Sequence, residues 1–193
     1  KDSVGTEYKC LIGSRNMFSG VVPLKDFEAA KMFKNKTLWL NIDYIRLGNP
    51  LNLDSLFAFK KGLRFERVTV TSVTLGSTSD FPFVFMIKTA KGDVGFVQAN
   101  VSGTNTGLDQ KFFFGSNFFT EDPKVKYHFS PAVWENVKAG HLALGMEKDA
   151  VILAIGIPKD MNNSTAADGL DQWVYPTRYL YFRNNKLVDI RNQ

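Results

Sequence analysis

Hydrophobic residues recur at helical spacing in one early segment of the chain. Four of them lie three positions apart: Leu24, Phe27, Ala30 and Phe33. This spacing places their side chains on one side of an α-helix. Glu28 precedes Lys31 on the polar side, and oppositely charged residues three apart favour a helix. The pattern predicts a helix over residues 24–35, after a mixed lead-in over residues 1–22 that we expect to be partly extended.

From residue 36 the hydrophobic period changes to two, which is the period of a β-strand. Leu38 and Leu40 alternate with Trp39 and predict a short strand. Three alternating sets follow farther on, with a change of parity between them: Leu63 and Phe65, Val68 and Val70, Val73 and Leu75. A change of parity within a run of strands predicts a β-bulge or a sharp bend.

The clearest hairpin lies in the middle of the chain. Its first strand has four large apolar residues on one face: Phe81, Phe83, Phe85 and Ile87. Lys91-Gly92-Asp93 predicts the turn, because glycine adopts a positive φ readily. Val94, Phe96 and Val97 begin the return strand. A polar stretch and an aromatic run over residues 112–119 complete this β-rich region.

After about residue 126 the pattern becomes helix, helix and then strands. Ser130 before Pro131 is typical of a helix N-terminus and predicts a short helix that ends at Gly140. A second helix is predicted over residues 147–155, with Gly156 as its C-terminal cap. Three strand predictions follow, with Asn184-Asn185 as the turn between the last two: residues 172–175, 178–183 and 186–190.

These patterns predict an α+β fold with three parts. Residues 1–22 are the lead-in segment, residues 23–125 a β-rich domain, and residues 126–193 a small domain of two helices followed by three strands. The chain has 193 residues, of which 44% are hydrophobic and 13% aromatic. Disordered chains have low hydrophobicity, so this composition predicts a folded protein.

The net charge and the single cysteine limit the kinds of binding surface and the redox compartments that fit this chain. The net charge is +5 and the pI about 9.2, but the basic residues are spread along the chain, which favours a solvated basic surface over a dedicated anion site. Cys10 is the single cysteine, so no internal disulfide can form. Its strand-like surroundings favour a buried thiol over a nucleophile. One free thiol fits a reducing compartment or a bacterial periplasm.

The sequence offers no recognisable catalytic constellation. His128 and His141 have no carboxylate or cysteine at ligand spacing, so neither a metal nor another cofactor is predicted. No Gly-x-Ser-x-Gly elbow and no phosphate-binding loop occurs. Nucleic acid is disfavoured as a partner, because the aromatic residues alternate in strands and are expected to face a core. An enzyme of unfamiliar type would have to use scattered residues: Asp80, Asp122, His128 and Glu135.

The C-terminal third carries a recognisable series of motifs. They are Gly145-Met146 before a helix, Ile155-Gly156-Ile157-Pro158 after it, Gln172-Trp173-Val174-Tyr175, Arg178-Tyr179-Leu180-Tyr181-Phe182, and Asn185-Lys186-Leu187. This series resembles the small outer-membrane assembly lipoproteins of the BamE (SmpA/OmlA) type. The resemblance implies an αα-βββ domain that binds proteins across its sheet or the adjoining loop. The chain departs from that family in its long N-terminal region and in having Ile155-Gly156 where the family has Leu-Gly.

The N-terminal region has a second resemblance. The stretch Lys91-Gly92-Asp93-Val94-Gly95-Phe96-Val97 is similar to a hairpin of bacterial SH3-like barrels. This resemblance implies an SH3-like β-barrel domain ahead of the BamE-like domain.

The functional hypothesis is a non-catalytic protein of the bacterial envelope that binds another protein, a peptide or a glycan of the cell wall. The expected contact residues are Trp173, Tyr175, Arg178 and Tyr179. We expect a periplasmic or outer-membrane-associated location, with the export signal removed because the chain begins at Lys1 rather than Met. A lipid anchor upstream of this chain would add peripheral membrane association. Two alternatives stay open: a secreted enzyme inhibitor that uses the loop over residues 162–171, and a cell-wall-acting enzyme.

Overall fold

A computed structural model describes residues 5–12, 18–52, 57–76, 82–101, 114–164 and 169–192. Within these residues the chain is mixed α+β, with many strands and a few short helices, so the predicted fold class is confirmed at this level. The chain divides into two compact units, Lys1–Lys126 and Tyr127–Gln193.

The N-terminal unit is mostly antiparallel sheet. Its described elements in chain order are β1 (Tyr8–Ile12), β2 (Phe18–Pro23), α1 (Leu24–Lys31), β3 (Thr37–Leu40), β4 (Tyr44–Arg46), β5 (Phe59–Lys61), β6 (Arg67–Leu75), β7 (Phe83–Thr89), β8 (Val94–Ala99), α2 (Phe114–Asn117), β9 (Phe118–Phe119) and α3 (Pro123–Lys126). β1 and β2 form a two-stranded sheet, and the other seven strands form one sheet in the order β5-β4-β8-β7-β6-β3-β9.

The seven-stranded sheet is open, so the closed barrel predicted for this region is wrong as far as the described strands go. β5 and β9 are its two edges, and no pairing joins them among these residues. Closure requires the first and last strands to hydrogen-bond along their length. β5 has three residues and β9 has two, which gives little backbone for such a seam.

The lead-in region is partly extended, as predicted. β1 pairs with β2 in an antiparallel hairpin with a register shift between Cys10 and Leu11. The Leu24 N–H donates a hydrogen bond to the Glu7 carbonyl at 2.7 Å, which ties this hairpin to the start of α1. The side chain of Cys10 lies outside the described residues, so its predicted burial stays a prediction.

Helix α1 confirms the early helical pattern but ends four residues before the predicted end at residue 35. Phe27 and Ala30 are buried, and Lys31 pairs with Glu28 at 3.1 Å. Asn35 has φ 63, a left-handed conformation that stops a right-handed helix. The helix boundary is therefore set by a turn into β3.

The predicted bulge is present in β6. Val70 pairs with Ile87 and Ser72 with Met86, so one extra residue lies between two successive pairs. Val68 and Val70 are buried before the bulge, and Val73 and Leu75 are buried after it. The parity change in the sequence is the signature of this extra residue.

The preceding alternation at Leu63 and Phe65 does not form a strand. Both residues are buried, but Phe65 has φ 64 and lies in a turn before β6. A short alternating pattern records which side chains are buried, and a turn can bury alternate residues as well as a strand can. The strand interpretation of these two positions was wrong for that reason.

Strands β7 and β8 form the predicted central hairpin. Phe83, Phe85 and Ile87 are buried, and Gly92 takes φ 92 in the turn. Phe81, also predicted to share this face, lies outside the described residues. The hydrophobic core of the unit gathers residues of the hairpin, α1 and the neighbouring strands: Val22, Phe27, Ala30, Leu38, Leu40, Ile45, Leu63, Val68, Val70, Val73, Leu75, Phe83, Phe85, Ile87, Val97, Ala99 and Phe118.

The C-terminal unit has two helices and a sheet. Its described elements are α4 (Pro131–Ala139), α5 (Lys148–Ile155), β10 (Asp160–Asn162), β11 (Asp171–Tyr175), β12 (Arg178–Arg183) and β13 (Lys186–Asn192). The strands form an antiparallel sheet in the order β10-β11-β12-β13.

Local signals in the sequence located these elements. The Ser130 hydroxyl accepts a hydrogen bond from the Val133 N–H at 3.4 Å, and Gly140 caps the end of α4 with φ 68. Gly156 ends α5 as predicted. Asn184 and Asn185 both have positive φ, which confirms the tight turn between β12 and β13.

Strand β10 is an element that the sequence analysis missed. Its three residues are all exposed, so they show no alternation of polar and apolar positions. It adds a fourth strand beside β11, with Met161 opposite Trp173. β10 is a strand because it hydrogen-bonds to β11, not because its residues are buried. A hydrophobic pattern indicates burial only, so it could not predict this strand.

The two edge strands of this sheet carry the same local device. In β10 the Asp160 carboxylate accepts a hydrogen bond from the Met161 N–H at 2.9 Å. In β13 the Asp189 carboxylate accepts one from the Ile190 N–H, also at 2.9 Å. Each edge thus has a backbone donor occupied by the side chain of the preceding aspartate.

Candidate binding face of the C-terminal sheet

One face of the four-stranded sheet belongs to the hydrophobic core of the unit. The Lys148 ammonium, at the start of α5, lies 5.7 Å from the ring centroids of both Trp173 and Phe182, which places α5 against this face. The two rings lie 4.5 Å apart between centroids. The buried residues in the described part of the unit are Trp134, Val137, Met146, Ala150, Val151, Leu153, Ala154, Pro158, Trp173, Tyr175, Leu180, Phe182 and Leu187.

Two of the four predicted contact residues lie in this core. Trp173 is 3% exposed and Tyr175 is 6% exposed. Burial raises the pKa of the Tyr175 phenol, and its hydroxyl donates a hydrogen bond to the Gly156 carbonyl at 2.8 Å. Their prediction as surface contacts is corrected here: Trp173 fills the core, and Tyr175 joins β11 to the end of α5.

Arg178 and Tyr179 are partly exposed but point to opposite faces. Arg178 lies directly opposite Tyr175, and residues opposite each other in an antiparallel pair share a face. Arg178 therefore lies at the end of the core face. Tyr179 lies opposite Val174 and so belongs to the other face. The structure thus brings three of the predicted residues to one face and leaves Tyr179 alone on the other.

We call the face opposite the core the outer face. Strand pairing assigns eight residues to it: Asp160, Asn162, Gln172, Val174, Tyr179, Tyr181, Asp189 and Arg191. Asp160, Asn162 and Arg191 are exposed, and the other five are partly exposed. The outer face therefore presents two tyrosines among polar and charged groups.

A continuous row of interactions crosses the outer face from one edge to the other. The Asn162 amide donates a hydrogen bond to the Gln172 side-chain oxygen at 3.1 Å, and the Gln172 amide donates to the Tyr181 hydroxyl at 3.0 Å. The Arg191 guanidinium lies 4.8 Å from the Tyr181 ring centroid. Its Nε donates to the Asp189 carboxylate at 2.8 Å. The row fixes the rotamers of side chains that are polar and accessible.

Electrostatics reinforce the last step of this row. The Asp189 carboxylate, by hydrogen bond and by charge, raises the pKa of the Arg191 guanidinium. The guanidinium stays charged, and its planar group offers several donors in a fixed geometry. Arg191 is thus held over an aromatic ring with donors available for a partner.

A second polar cluster closes the base of the loop over residues 162–171. The Lys148 ammonium pairs with the Asp171 carboxylate, and the Ser164 N–H donates a hydrogen bond to the same carboxylate at 2.8 Å. Lys148 first and Ser164 second lower the pKa of Asp171. Residues 165–168 of this predicted inhibitor loop lie outside the described residues.

Across the described ranges, no group of three or more His, Cys, Asp or Glu residues could hold a metal ion. His128 and His141 are exposed, and Glu135 pairs with Lys138 at 3.1 Å. Asp122 accepts a hydrogen bond from the Lys124 N–H. Asp80 lies outside the described residues.

Sequence reasoning missed most of the outer face. Gln172, Tyr181 and Arg191 were passed over, although the alternation of β11 and β12 carried the needed signal. If Trp173 and Leu180 face the core, Gln172 and Tyr181 must face away from it. Asn162 gave no such signal, because it reaches the row only through the pairing of β10 with β11.

No helix of the described chain combines the length and the apolar character needed to cross a bilayer. Comparisons of the chain with protein-family models, with curated proteins and with solved structures found no match.

Proposed function

We propose that this chain is a non-catalytic binding protein of the bacterial envelope whose C-terminal unit docks on a protein partner through the outer face. The observation that carries the proposal is the row of Asn162, Gln172, Tyr181 and Arg191. The resemblance of the C-terminal third to BamE-type lipoproteins supports the envelope location and the class of partner.

The row has the composition of a protein-binding surface. Tyrosine and arginine are enriched where partners dock, because each combines a large contact area with hydrogen-bonding groups. Binding loses less conformational entropy when these side chains are already held in place. Tyr181 is held by Gln172 and lies under Arg191, so both are ordered before a partner arrives.

Site-specific crosslinking tests the proposal directly. A photoreactive residue replaces Tyr179 on the outer face of the full-length protein, expressed in its native cells. A matched probe replaces Lys138, which lies on helix α4. We expect the probe at position 179 to capture a component of the outer-membrane assembly machinery, and the probe at position 138 to capture none.

The result is decisive in each direction. Failure of position 179 to capture any such component, or equal capture from both positions, would contradict the proposal. Capture of a soluble enzyme from position 179 would favour the secreted-inhibitor alternative instead.

A pair of charge-removing variants tests the row itself. Arg191→Ala and Lys138→Ala each break one exposed ion pair, to Asp189 and to Glu135 respectively. We expect Arg191→Ala to weaken binding of the captured partner about tenfold, a loss of about 1.4 kcal/mol typical of an interface arginine. Lys138→Ala leaves binding unchanged. Equal affinities of the two variants, measured by calorimetry, would remove Arg191 from the interface.

Arg178 was predicted from the sequence as a contact residue, but it does not belong to the row on the outer face. It lies at the end of the core face, partly exposed. If Arg178 also contacts the partner, Arg178→Glu weakens binding and leaves the melting temperature unchanged. A parallel loss of binding and thermal stability would make Arg178 a structural residue.

A further inference from the structure

The edge hairpin of the seven-stranded sheet carries a second surface. β4 pairs with β5 so that Tyr44 lies opposite Lys61 and Arg46 opposite Phe59. Residues opposite each other share a face, and alternate residues along a strand do as well. One side of the hairpin therefore presents four residues, which we call the hairpin face: Tyr44, Arg46, Phe59 and Lys61.

The hairpin face is internally ordered. The Tyr44 and Phe59 rings meet edge to face, with centroids 5.2 Å apart and planes at 87°. The Arg46 guanidinium lies 5.0 Å from the Phe59 ring centroid. Phe59 is nevertheless 41% exposed. The face thus combines accessible aromatic surface with cations held beside it.

Two described residues between the two strands add apolar surface. Phe57 is 80% exposed and Leu51 is 59% exposed. The Leu47 N–H donates to the Ala58 carbonyl at 2.8 Å, which closes the base of the loop. The Leu51 N–H donates to the Asn49 side chain at 2.9 Å, so a turn fixes Leu51 where it is accessible. Exposed large apolar side chains that form a patch commonly mark an interaction site, and Phe57 lies two residues before Phe59 of the hairpin face.

The charges around the hairpin favour an anionic partner. Lys60 lies on the opposite side of β5 and pairs with Asp93, whose pKa is lowered first by the hydrogen bond from Lys60. Lys61 is exposed on the hairpin face. Asp43 is the neighbouring acid, and its charge acts on Arg64. Arg46 and Lys61 thus give the hairpin face a positive charge, which complements an anionic surface.

We propose that the hairpin face, together with Leu51 and Phe57, binds the surface of a bilayer that contains anionic phospholipid. Phe57, Leu51 and Phe59 enter the boundary between headgroups and acyl chains, where apolar side chains gain burial. Arg46 and Lys61 stay at the level of the phosphates, which attract cations. This site lies in the N-terminal unit and does not depend on the outer face.

A single-stranded nucleic acid is the competing partner for aromatic and basic groups. Nucleic-acid platforms use aromatic rings on which successive bases stack. Here Leu51 is aliphatic and Tyr44 meets Phe59 edge to face, so the described residues of this surface do not form a row of parallel ring faces. The combination of an aliphatic residue, exposed phenylalanines and flanking cations matches a lipid boundary better.

Vesicle sedimentation with the full chain tests the proposal. The probes are vesicles of phosphatidylcholine alone and of phosphatidylcholine mixed with phosphatidylglycerol. We expect binding to the mixed vesicles only, with weakening as salt is added. Phe57→Ser lowers the affinity about tenfold and leaves the melting temperature unchanged, because its ring is exposed in the protein. Met32→Ser is the matched control, since Met32 is 75% exposed at the end of α1.

A charge variant separates the lipid from the nucleic-acid partner. Lys61→Glu lowers the affinity for mixed vesicles at least fivefold, whereas Lys34→Glu, at another exposed lysine, changes it less than twofold. No binding of the wild type to mixed vesicles, or equal losses for Phe57→Ser and Met32→Ser, would overturn the proposal. It would equally fail if Lys61→Glu abolished binding of a single-stranded oligonucleotide and left vesicle binding intact. Crosslinking at position 179 tests the outer face and vesicle binding tests the hairpin face, so either proposal can fail without the other.

Discussion

The two larger sheets of the described chain differ in how far apart in sequence their paired strands lie. In the C-terminal sheet every strand pairs with its neighbour in sequence, from β10 to β13. In the N-terminal sheet β4 pairs with β8 and β3 pairs with β9, across long stretches of chain. Pairing of distant segments costs more loop-closure entropy and forms later in folding. Turns and caps therefore specify the C-terminal sheet, whereas packing of distant side chains must specify the N-terminal one.

The largest expected effect comes from the N-terminal core. Phe85 is fully buried and contacts the rings of Phe33, Phe114 and Phe118, which come from elements far apart in sequence. Phe85→Ala should lower the free energy of unfolding by about 4 kcal/mol. Hydrogen exchange would show the loss concentrated in β6 to β8. Phe57→Ala, at an exposed phenylalanine, is the control with little effect. Similar losses of stability for Phe85→Ala and Phe57→Ala would contradict the view that packing of distant side chains specifies the N-terminal sheet.

The junction of β4 and β8 is the next most sensitive point. A Cβ atom added at Gly95 would lie 2.5 Å from the Arg46 carbonyl oxygen and 2.8 Å from Ile45 Cδ1. Gly95→Ala should cost about 3 kcal/mol in denaturant unfolding, because backbone must move apart at the one pair that joins these strands. Gly115→Ala serves as the control, since nothing lies within 4 Å of its added Cβ. If the Gly95→Ala protein were as stable as the Gly115→Ala protein, β4 and β8 could move apart at this pair without loss of stability.

In the C-terminal unit the sensitive points are local. Gly156 ends α5 with φ 89 and ψ −178, a region that residues with a side chain rarely enter. Gly156→Val should cost about 2 kcal/mol, whereas Ile157→Val, at an exposed neighbour, should change stability by less than about 0.5 kcal/mol. Thermal unfolding of both variants measures the difference. An unchanged melting temperature for Gly156→Val would contradict the cap.

The smallest expected effect is a pH dependence. Lys148 lowers the pKa of Asp171, so Asp171 stabilises the folded state above its unfolded pKa of about 3.9 and loses this contribution as pH falls through the folded pKa. In Lys148→Met the pKa of Asp171 rises and the acid-dependent loss of stability shrinks. Carboxyl NMR titration measures the pKa directly. Lys138→Met, which removes an exposed pair with Glu135, leaves the Asp171 titration unchanged. Equal shifts of the Asp171 pKa in the two variants would show that Lys148 does not lower it.

The sequence predicted the elements whose signals are local. Ser130, Gly140 and the Asn184-Asn185 turn act within a few residues, so one sequence suffices to place them. The bulge in β6 was also readable, because an extra residue changes the parity of buried positions. The order of the N-terminal strands and the pairing of β10 were not readable, since they depend on which distant backbone lies alongside.

In the candidate site, too, local signals could be interpreted from the sequence and the pairing of strands could not. Trp173 and Tyr175 drew notice because they are large and aromatic, and the structure buries both. Size and aromaticity favour a core as strongly as an interface. The alternation along β11 pointed to Gln172 on the other face, but a glutamine gives no signal of its own. The row on the outer face becomes visible only when β10, β11, β12 and β13 lie side by side.

The aspartates at the two edges of the C-terminal sheet bear on how copies of this chain meet in concentrated solution. An open strand edge is a template on which a second copy can extend the sheet, the first step towards fibrous aggregates. Asp160 occupies a backbone donor of β10 and places a negative charge at that edge. Two copies that approached through β10 would bring their Asp160 carboxylates together, which opposes pairing. At the other edge the Asp189 carboxylate is paired with Arg191, but part of β13 is already covered, since the Leu187 N–H donates a hydrogen bond to the Met146 carbonyl at 2.8 Å. The two edges are thus protected against self-assembly in different ways, one by charge and one by coverage.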